Sequence, residues 1–596
     1  MLHSPARTAL ALLGCLAGST TVTAVVQAES VLHLTYPPLQ HQTTAERIFL
    51  IGTAPPSGTV MVNGRAIARS AAGHFAPSFP LQLGDNTFVL DYNGRDEQRV
   101  VVTRVPIAPP LPDGAAFLPD SLVPARTITR LPGETICLEA TAAPDAIVRA
   151  HLSGLDIALS PQPPAVRLSS NAAVLTATNR PQPIAYQIFA SCIRAIAAGP
   201  LGIPEFYLEL DGEQIARSGP GSIEILEPSA LTVVEVTAAA GVARSGPSTT
   251  YSRLTPLPRG TRATVTGAEG DWLRLDYGGW IRASETQPLE SVVPPQAIVR
   301  GLSARQVPGA TEVTIPLSLP VPIAIQQDDD TLTLTLFNTV AQTDTIRFDA
   351  DPLVRRLDWE QRDPTTVQYR FQLRSAQQWG YTARYDGTQL VLQLRHPPQR
   401  QSRSLTGVVV LLDPGHGGDE LGTRGPTGYP EKAMNLDVSM LLAQALRERG
   451  ATVYLTRTDD SAVSLGDRAA AIAEQQPTVA LSIHYNALPD DGDAIETAGI
   501  GAFWYHPQAH DLAAFLHDYL TETLDRPSYG VFWNNLALTR PHAAPTVLLE
   551  LGFAINPEEF EWIIDPPSQQ ALARAIADGL VRWFDRVAPQ PTEPKR

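Results

Sequence analysis

Every regular stretch ahead of about residue 396 reads as short strands broken by turns, whereas from residue 408 onward strands and helices alternate. That change of texture constrains the fold more than any other feature. Strands must complete their hydrogen bonds on other strands, and strands alternating with helices build a parallel sheet covered on both faces. We therefore expect a multidomain chain: several all-β modules, then a C-terminal α/β domain with a mainly parallel sheet flanked by helices. At 596 residues the chain is too long for one core, and a 43% hydrophobic content suffices for several. Its 53 prolines fit β modules joined by stiff connections, since proline suits turns, strand edges and extended linkers but not helix interiors.

Residues 30–105 read as an immunoglobulin-like β-sandwich, with strands at 47–51, 59–62, 87–90 and 99–103 and a tight-hairpin signal at Asn63-Gly64. A proline-rich linker, 106–112, leads to a second β module at 113–228. Neither region gathers catalytic residue types. A further β module spans 293–395, where Leu332, Leu334 and Leu336 alternate with Thr331, Thr333 and Thr335 in the period of a half-buried strand. Residues 396–407 then form a linker.

The stretch 231–290 carries Asp271-Trp272-Leu273-Arg274-Leu275, then Tyr277-Gly278-Gly279-Trp280-Ile281, with Leu257-Pro258-Arg259-Gly260 upstream. It resembles the bacterial SH3-like barrel, often attached to wall-degrading enzymes. Trp272 and Trp280 are either a ligand-binding surface or aromatics of a small core, and both readings stay open. The 293–395 module is similar to the AMIN domain that precedes many periplasmic cell-wall amidases and targets them to the wall.

The chain opens like an export signal, 1–28. Arg7 closes a positive segment, 8–18 is apolar, and Val26-Gln27-Ala28 offers a cleavage site before Glu29. Leu12-Leu13-Gly14-Cys15 offers lipidation at Cys15 as a second possibility. No uninterrupted run of about 20 apolar residues is present, so no transmembrane segment is expected after signal removal. An exported protein of the periplasm or cell envelope follows. Cys137 and Cys192 then form one disulfide or remain two buried thiols. A net charge of −16 argues against nucleic acid as a partner, because phosphate binding needs a basic face.

Chemistry concentrates in residues 408–588. Three apolar strands, 408–412, 478–483 and 546–549, run into His416 within Asp413-Pro414-Gly415-His416-Gly417-Gly418, into His484, and into Glu550. Ligands of open α/β sheets gather outside the carboxyl ends of the strands, so these residues should meet at one rim. Two histidines and a carboxylate make a common catalytic zinc set with a fourth position for water. Asp419, Glu420 and Glu431 are the carboxylate candidates, and spacing alone selects none. Helices are expected at 435–449, 465–475, 512–524 and 569–584.

In order, Asp413–Gly418, Glu431-Lys432 with Asn435, Leu455-Thr456-Arg457, 465–468, 482–487 and 549–553 match the pattern of one enzyme family. The stretch 408–584 resembles the zinc-dependent N-acetylmuramoyl-L-alanine amidase catalytic domain. The resemblance implies that His416, Glu431 and His484 bind Zn2+ and that Glu550 is the catalytic carboxylate, passing a proton from water to the departing L-alanine nitrogen. It implies peptidoglycan as the partner and cell-wall turnover or daughter-cell separation as the setting. A zinc peptidase cutting within the stem peptide, or a wall-binding scaffold without catalysis, are the competing readings.

His506, His510, His517 and His542 have no place in the family pattern and read as surface or packing residues. Arg540 reads as a solvated charge or a substrate contact, and Asn435 as a helix-start residue or a support for a ligand. Some relatives carry a long helical insertion that plugs the site. Here only 488–498 occupies that place, too short and acidic for a plug, so no obligatory activator protein is expected.

Overall fold

The computed structural model describes residues 31–588, apart from 95, 108–110, 165, 170–180, 184–185, 291–292, 349 and 401–403. The expected export signal and Cys15 lie outside the described residues. Among the described residues, the regular structure of the N-terminal two thirds is strand, apart from single turns of 3-10 helix, and the C-terminal domain is α/β.

In the first module a five-stranded, a three-stranded and a two-stranded sheet enclose Ile48, Leu50, Val60, Phe75, Leu90 and Val100. Asn63 and Gly64 both take positive φ, 49° and 74°, in the two-residue turn joining Val60–Val62 to Arg65–Ala66. That conformation is why Asn-Gly is found there. The next two stretches are less separate than their sequences suggest. Ile128–Arg130 pairs with Arg262–Glu269, so one hydrogen-bonded sheet runs from the 113–228 region into the 231–290 region. Cys137 and Cys192 face each other on paired strands and are disulfide-bonded. Trp272 and Trp280 are 3% and 8% exposed, so they are packing aromatics and not a ligand surface.

Residues 297–395 form a five-stranded and a four-stranded sheet over a shared core that includes Leu332, Leu334 and Leu336. Trp379 leaves that core and enters the next one, stacked on Phe584 at 5.8 Å. This side chain ties the module to the C-terminal domain.

Strands and helices of the C-terminal domain are labelled here from its own start. In chain order they are β1 Val409–Pro414, α1 Glu431–Glu448, β2 Thr452–Leu455, α2 Leu465–Gln475, β3 Val479–Asn486 and β4 Ile500–Trp504. They continue with α3 Pro507–Leu524, β5 Ser528–Trp533, β6 Thr546–Phe553, α4 Pro557–Ile564 and α5 Pro566–Val587. The sheet order is β2-β1-β3-β6-β4-β5, and every neighbouring pair is parallel except β4 with β6. Val410 and Leu412 join the core that holds buried residues of α1, α3 and α5, while Leu411 between them packs with Ile472 of α2. Side chains alternate across a strand, so both faces are covered, and the near-continuous apolar runs follow from that.

Three boundaries differ from expectation in ways that matter. Helix α1 starts at Glu431, four residues before the expected 435, with Pro430 as the preceding extended residue. Strands β3 and β6 continue past His484 and Glu550, which therefore sit inside strands and not at their ends. Helix α4 and strand β5 were not anticipated; α4 is short, although Asn556 caps it by accepting from the Glu558 and Glu559 amides.

Candidate metal centre

Strand β1 leads through α1 to β2 on one side, while β3 lies on its other side. The chain thus departs in opposite directions from β1, and such a switch point opens a crevice at the strands' carboxyl ends. His416 comes from the loop after β1, Glu431 from the first residue of α1, and His484 from the last third of β3. Each offers one ligand atom, and these three atoms lie within 4.8 Å of one another. His416 Nε2 and His484 Nδ1 converge on the same Glu431 oxygen, Oε1, at 3.2 and 3.0 Å.

Each group is aimed by neighbours. Glu420 accepts from His416 Nδ1 at 3.0 Å, which leaves Nε2 pointing at the centre. Asn435, fully buried in α1, donates to Glu431 Oε1 and to the Gly415 carbonyl, both at 3.2 Å. It supports a ligand and does not start the helix. The Tyr485 and Thr423 amides also donate to Glu431, at 3.2 and 2.9 Å. Of the three carboxylate candidates, only Glu431 reaches both imidazoles; Glu420 stands behind one of them, and Asp419 is exposed.

The loop that presents His416 is held by buried charge. Asp413 accepts from Thr456 at 2.6 Å, Arg468 at 2.6 Å and Ser482 at 2.7 Å. Arg468 also donates to the Pro414 and His416 carbonyls, and Arg457 to the Pro414 and Gly415 carbonyls. His416 itself has φ 60°, a left-handed conformation that a non-glycine residue keeps only where its surroundings enforce it. Gly415 must be glycine because a Cβ there would overlap the His484 ring. Sequence reasoning placed Arg457 and Arg468 within motifs but gave them no role, since a carbonyl clamp leaves no spacing signature.

Charge at the centre is strongly perturbed. Burial alone would raise the Glu431 carboxyl, but His416 and His484 beside it hold it well below the usual carboxylate range. Burial would lower the His416 imidazole, yet Glu431 and Glu420 raise it instead. Glu550 pairs directly with His484 across β3 and β6. Burial, then the Glu431 charge, pushes its carboxyl well above the ordinary value. Its Oε2 is buried without a hydrogen-bond partner. Two imidazoles, one buried carboxylate and an unpartnered second carboxylate oxygen suit a divalent cation with nitrogen and oxygen ligands and a reacting water beside it.

The remaining polar residues lie elsewhere. His506 bonds the Arg540 carbonyl at 2.7 Å, His542 stacks on Tyr381 at 4.6 Å, His517 bonds Ser528 at 2.8 Å, and His510 packs on Trp504 at 4.5 Å. Arg540 binds Asn535 and is lowered to about 10 by burial and by Arg253 and Arg244, which places it toward the 231–290 region.

Comparison with known proteins places this domain. Residues 410–582 match the family Amidase_3, N-acetylmuramoyl-L-alanine amidase. The protein named probable cell wall amidase LytH of Staphylococcus aureus is 35% identical over 187 residues, 31% of this chain and 61% of its own length. The chain thus spans about three fifths of that curated relative, at 61%. Among solved structures, the N-acetylmuramoyl-L-alanine amidase of Clostridium difficile 630 is 31% identical, covering 30% of this chain and 97% of its own, with TM-score 0.29. AmiC2 of Nostoc punctiforme, also an N-acetylmuramoyl-L-alanine amidase, is 27% identical, covering 30% and 98%, with TM-score 0.29. The family match begins at residue 410 and leaves the upstream β modules unidentified. The chain therefore ends in an N-acetylmuramoyl-L-alanine amidase catalytic domain of the Amidase_3 type.

Proposed function

We propose that this protein is a zinc-dependent peptidoglycan hydrolase that cleaves the amide between N-acetylmuramic acid and the L-alanine of the stem peptide. The observation that carries the reading is the convergence of His416, Glu431 and His484, with Glu550 paired to His484 on the adjacent strand. His416, Glu431 and His484 would hold the ion. Bound there, Zn2+ would acidify a water and polarise the amide carbonyl.

The chain's own residues do the rest. Glu420 and Asn435 fix the orientation of His416 and Glu431, so no reorganisation is needed when substrate arrives. Glu550 has a free oxygen and a raised proton affinity, which suits it to take the proton from water and return it to the departing nitrogen. The His416 and His484 side chains remain 20% and 16% exposed, so the centre is in contact with solvent. The 488–498 stretch contains no helix, and its Asp490 and Ala494 pack against the first β module. We read the enzyme as needing no activator; amidase activity appearing only on addition of a partner protein would contradict this.

The disulfide fits an oxidising compartment, and an enzyme that takes peptidoglycan as substrate would work in the periplasm or cell envelope. No helix among the described residues is long and apolar enough to cross a membrane. In this reading the SH3-like and AMIN-like regions keep the catalyst at the wall. Mass spectrometry of peptidoglycan digested by the zinc-loaded protein tests the reaction. Free stem peptides with an L-alanine amine support it; shortened stems still attached to sugar would replace it with a peptidase.

A further inference from the structure

The module farthest from the catalytic domain in sequence lies against its metal rim. Phe49, Ile51 and Ala76 of the first module share a buried cluster with Ala494, Phe553 and Ile555. Tyr36 and His41 both bond the Asp490 carboxylate, His41 at 2.9 Å. Thr35 donates to the Pro426 carbonyl at 2.8 Å, the Ala72 amide to Glu561 at 3.0 Å, and His74 meets Phe560 edge-on at 5.3 Å. Four segments of the catalytic domain are thereby engaged: the loop before α1, the loop after β3, the end of β6 with Ile555, and α4.

Between the two lies a cavity of about 360 Å3, walled by Tyr36, Phe49 and Ile51 on one side and by Thr423, Arg424 and Leu488 on the other. It adjoins the metal centre. The Thr423 amide donates to Glu431, and the neighbouring Gly422, also at the cavity wall, is packed so closely on Glu431 and His416 that a Cβ would overlap both. An amide substrate lying across the centre has a sugar arm and a peptide arm, and this cavity suits one of them.

The lining decides which. Apart from Thr35, Thr423 and Gly422 its walls are aromatic and aliphatic, and its one charged side chain, Arg424, is exposed and has no ion pair among the described residues. An apolar wall with an unpaired guanidinium favours a short peptide that bears small apolar side chains and a free carboxylate, because arginine binds carboxylates in a two-pronged geometry. Resting on the amidase reading above, we propose that the first β module forms one wall of the subsite for the stem peptide, with Arg424 receiving its free carboxylate. The module is then part of the binding site as well as an attachment.

The test uses the full-length zinc-loaded protein and two exposed positions at the cavity, Arg424→Gln and Pro38→Trp, with unchanged circular dichroism as the folding control. Calorimetric titration with the tripeptide L-Ala-γ-D-Glu-L-Lys should show about tenfold weaker binding for each variant. Amidation of the glutamate carboxylate should weaken binding to the parent protein about tenfold and abolish the effect of Arg424→Gln. Unchanged tripeptide affinity in both variants would overturn the inference. So would a loss confined to a disaccharide whose lactyl carboxyl is a methyl amide, because the cavity would then seat the sugar arm. If either variant unfolds, a Pro38→Phe replacement read by the same titration decides. Peptidoglycan digestion by the parent protein is scored separately, so a failed amidase reading cannot be mistaken for a failed subsite.

Discussion

The loop that presents His416 and the surface where the first β module meets the catalytic domain lie on the same rim, yet they are held differently. The His416 loop is locked from within. Two buried arginines bond its carbonyls, and one of them pairs with a buried aspartate that takes three hydrogen bonds. The first module is held from outside by a small apolar cluster and a few half-buried polar contacts. Buried ionic networks fix geometry because breaking any member strands a charge, whereas partly exposed contacts exchange with water at low cost. The contrast matches the two tasks: metal ligands need fixed positions, while a wall facing a flexible substrate tolerates adjustment.

The largest effect sharpens the first half of that contrast. Glu550→Gln should reduce stem-peptide release by about 10²–10⁴-fold with zinc content unchanged, because it removes a proton acceptor and no ligand. His416→Ala and His484→Ala should instead lose the metal, read by elemental analysis of the dialysed protein. Full activity in metal-loaded Glu550→Gln would remove Glu550 from the mechanism.

Arg468→Met addresses the lock itself. It should strand the Asp413 carboxylate and cost about 3–5 kcal/mol, as for other broken buried pairs. Hydrogen exchange of β1 and β3 amides measures this; unaltered protection would mean that the loop is held by something else.

A third contact calibrates the comparison through pH. His506 and His542 lie near the boundary with the 293–395 module, and burial lowers both to about 4, with His506 adding to the effect on His542. Folding therefore favours the neutral rings. Their contribution is complete above about pH 6.5 and is lost as pH falls toward 4, at about 1.4 kcal/mol per pH unit for each ring. Thermal unfolding across that window should show the loss, and His506→Gln with His542→Phe should flatten it.

The smallest effect belongs to the docked module. Asp490→Ala removes the acceptor shared by Tyr36 and His41 and should cost about 1–2 kcal/mol. Faster hydrogen exchange confined to residues 35–43 and 488–498, with zinc retained, is the expected result. Equal loosening of β1 would erase the distinction between the two regions.

Much of the catalytic rim was legible because its chemistry requires particular residue types in a fixed order along apolar strands. His416, His484 and Glu550 stood out in this way, and the structure brings them together with Glu431. The choice among Asp419, Glu420 and Glu431 was legible only through the family resemblance of Glu431-Lys432 with Asn435; spacing alone left it open, since the choice depends on where α1 begins and which way its first side chain turns. Periodicity placed 465–475 as a helix, and Leu465–Gln475 is one. It passed over α4, whose eight residues span too few turns for a clear pattern. The sheet shared between 113–228 and 231–290 was equally hidden, because backbone pairing between distant segments leaves no mark on side-chain identity.

By itself the sequence determined the change from all-β to α/β construction, the parallel character of the last sheet, and the kinds of side chain able to hold a metal. These follow from local rules of periodicity and donor chemistry, which act on neighbouring residues. Tertiary structure alone decided how the Glu431 carboxylate turns onto both imidazoles, that Cys137 meets Cys192, and that the first β module stands beside the metal rim, as the contact of Thr35 with Pro426 across 391 positions records. Each of these is a meeting of surfaces brought together by burial, and burial is a property of the folded whole.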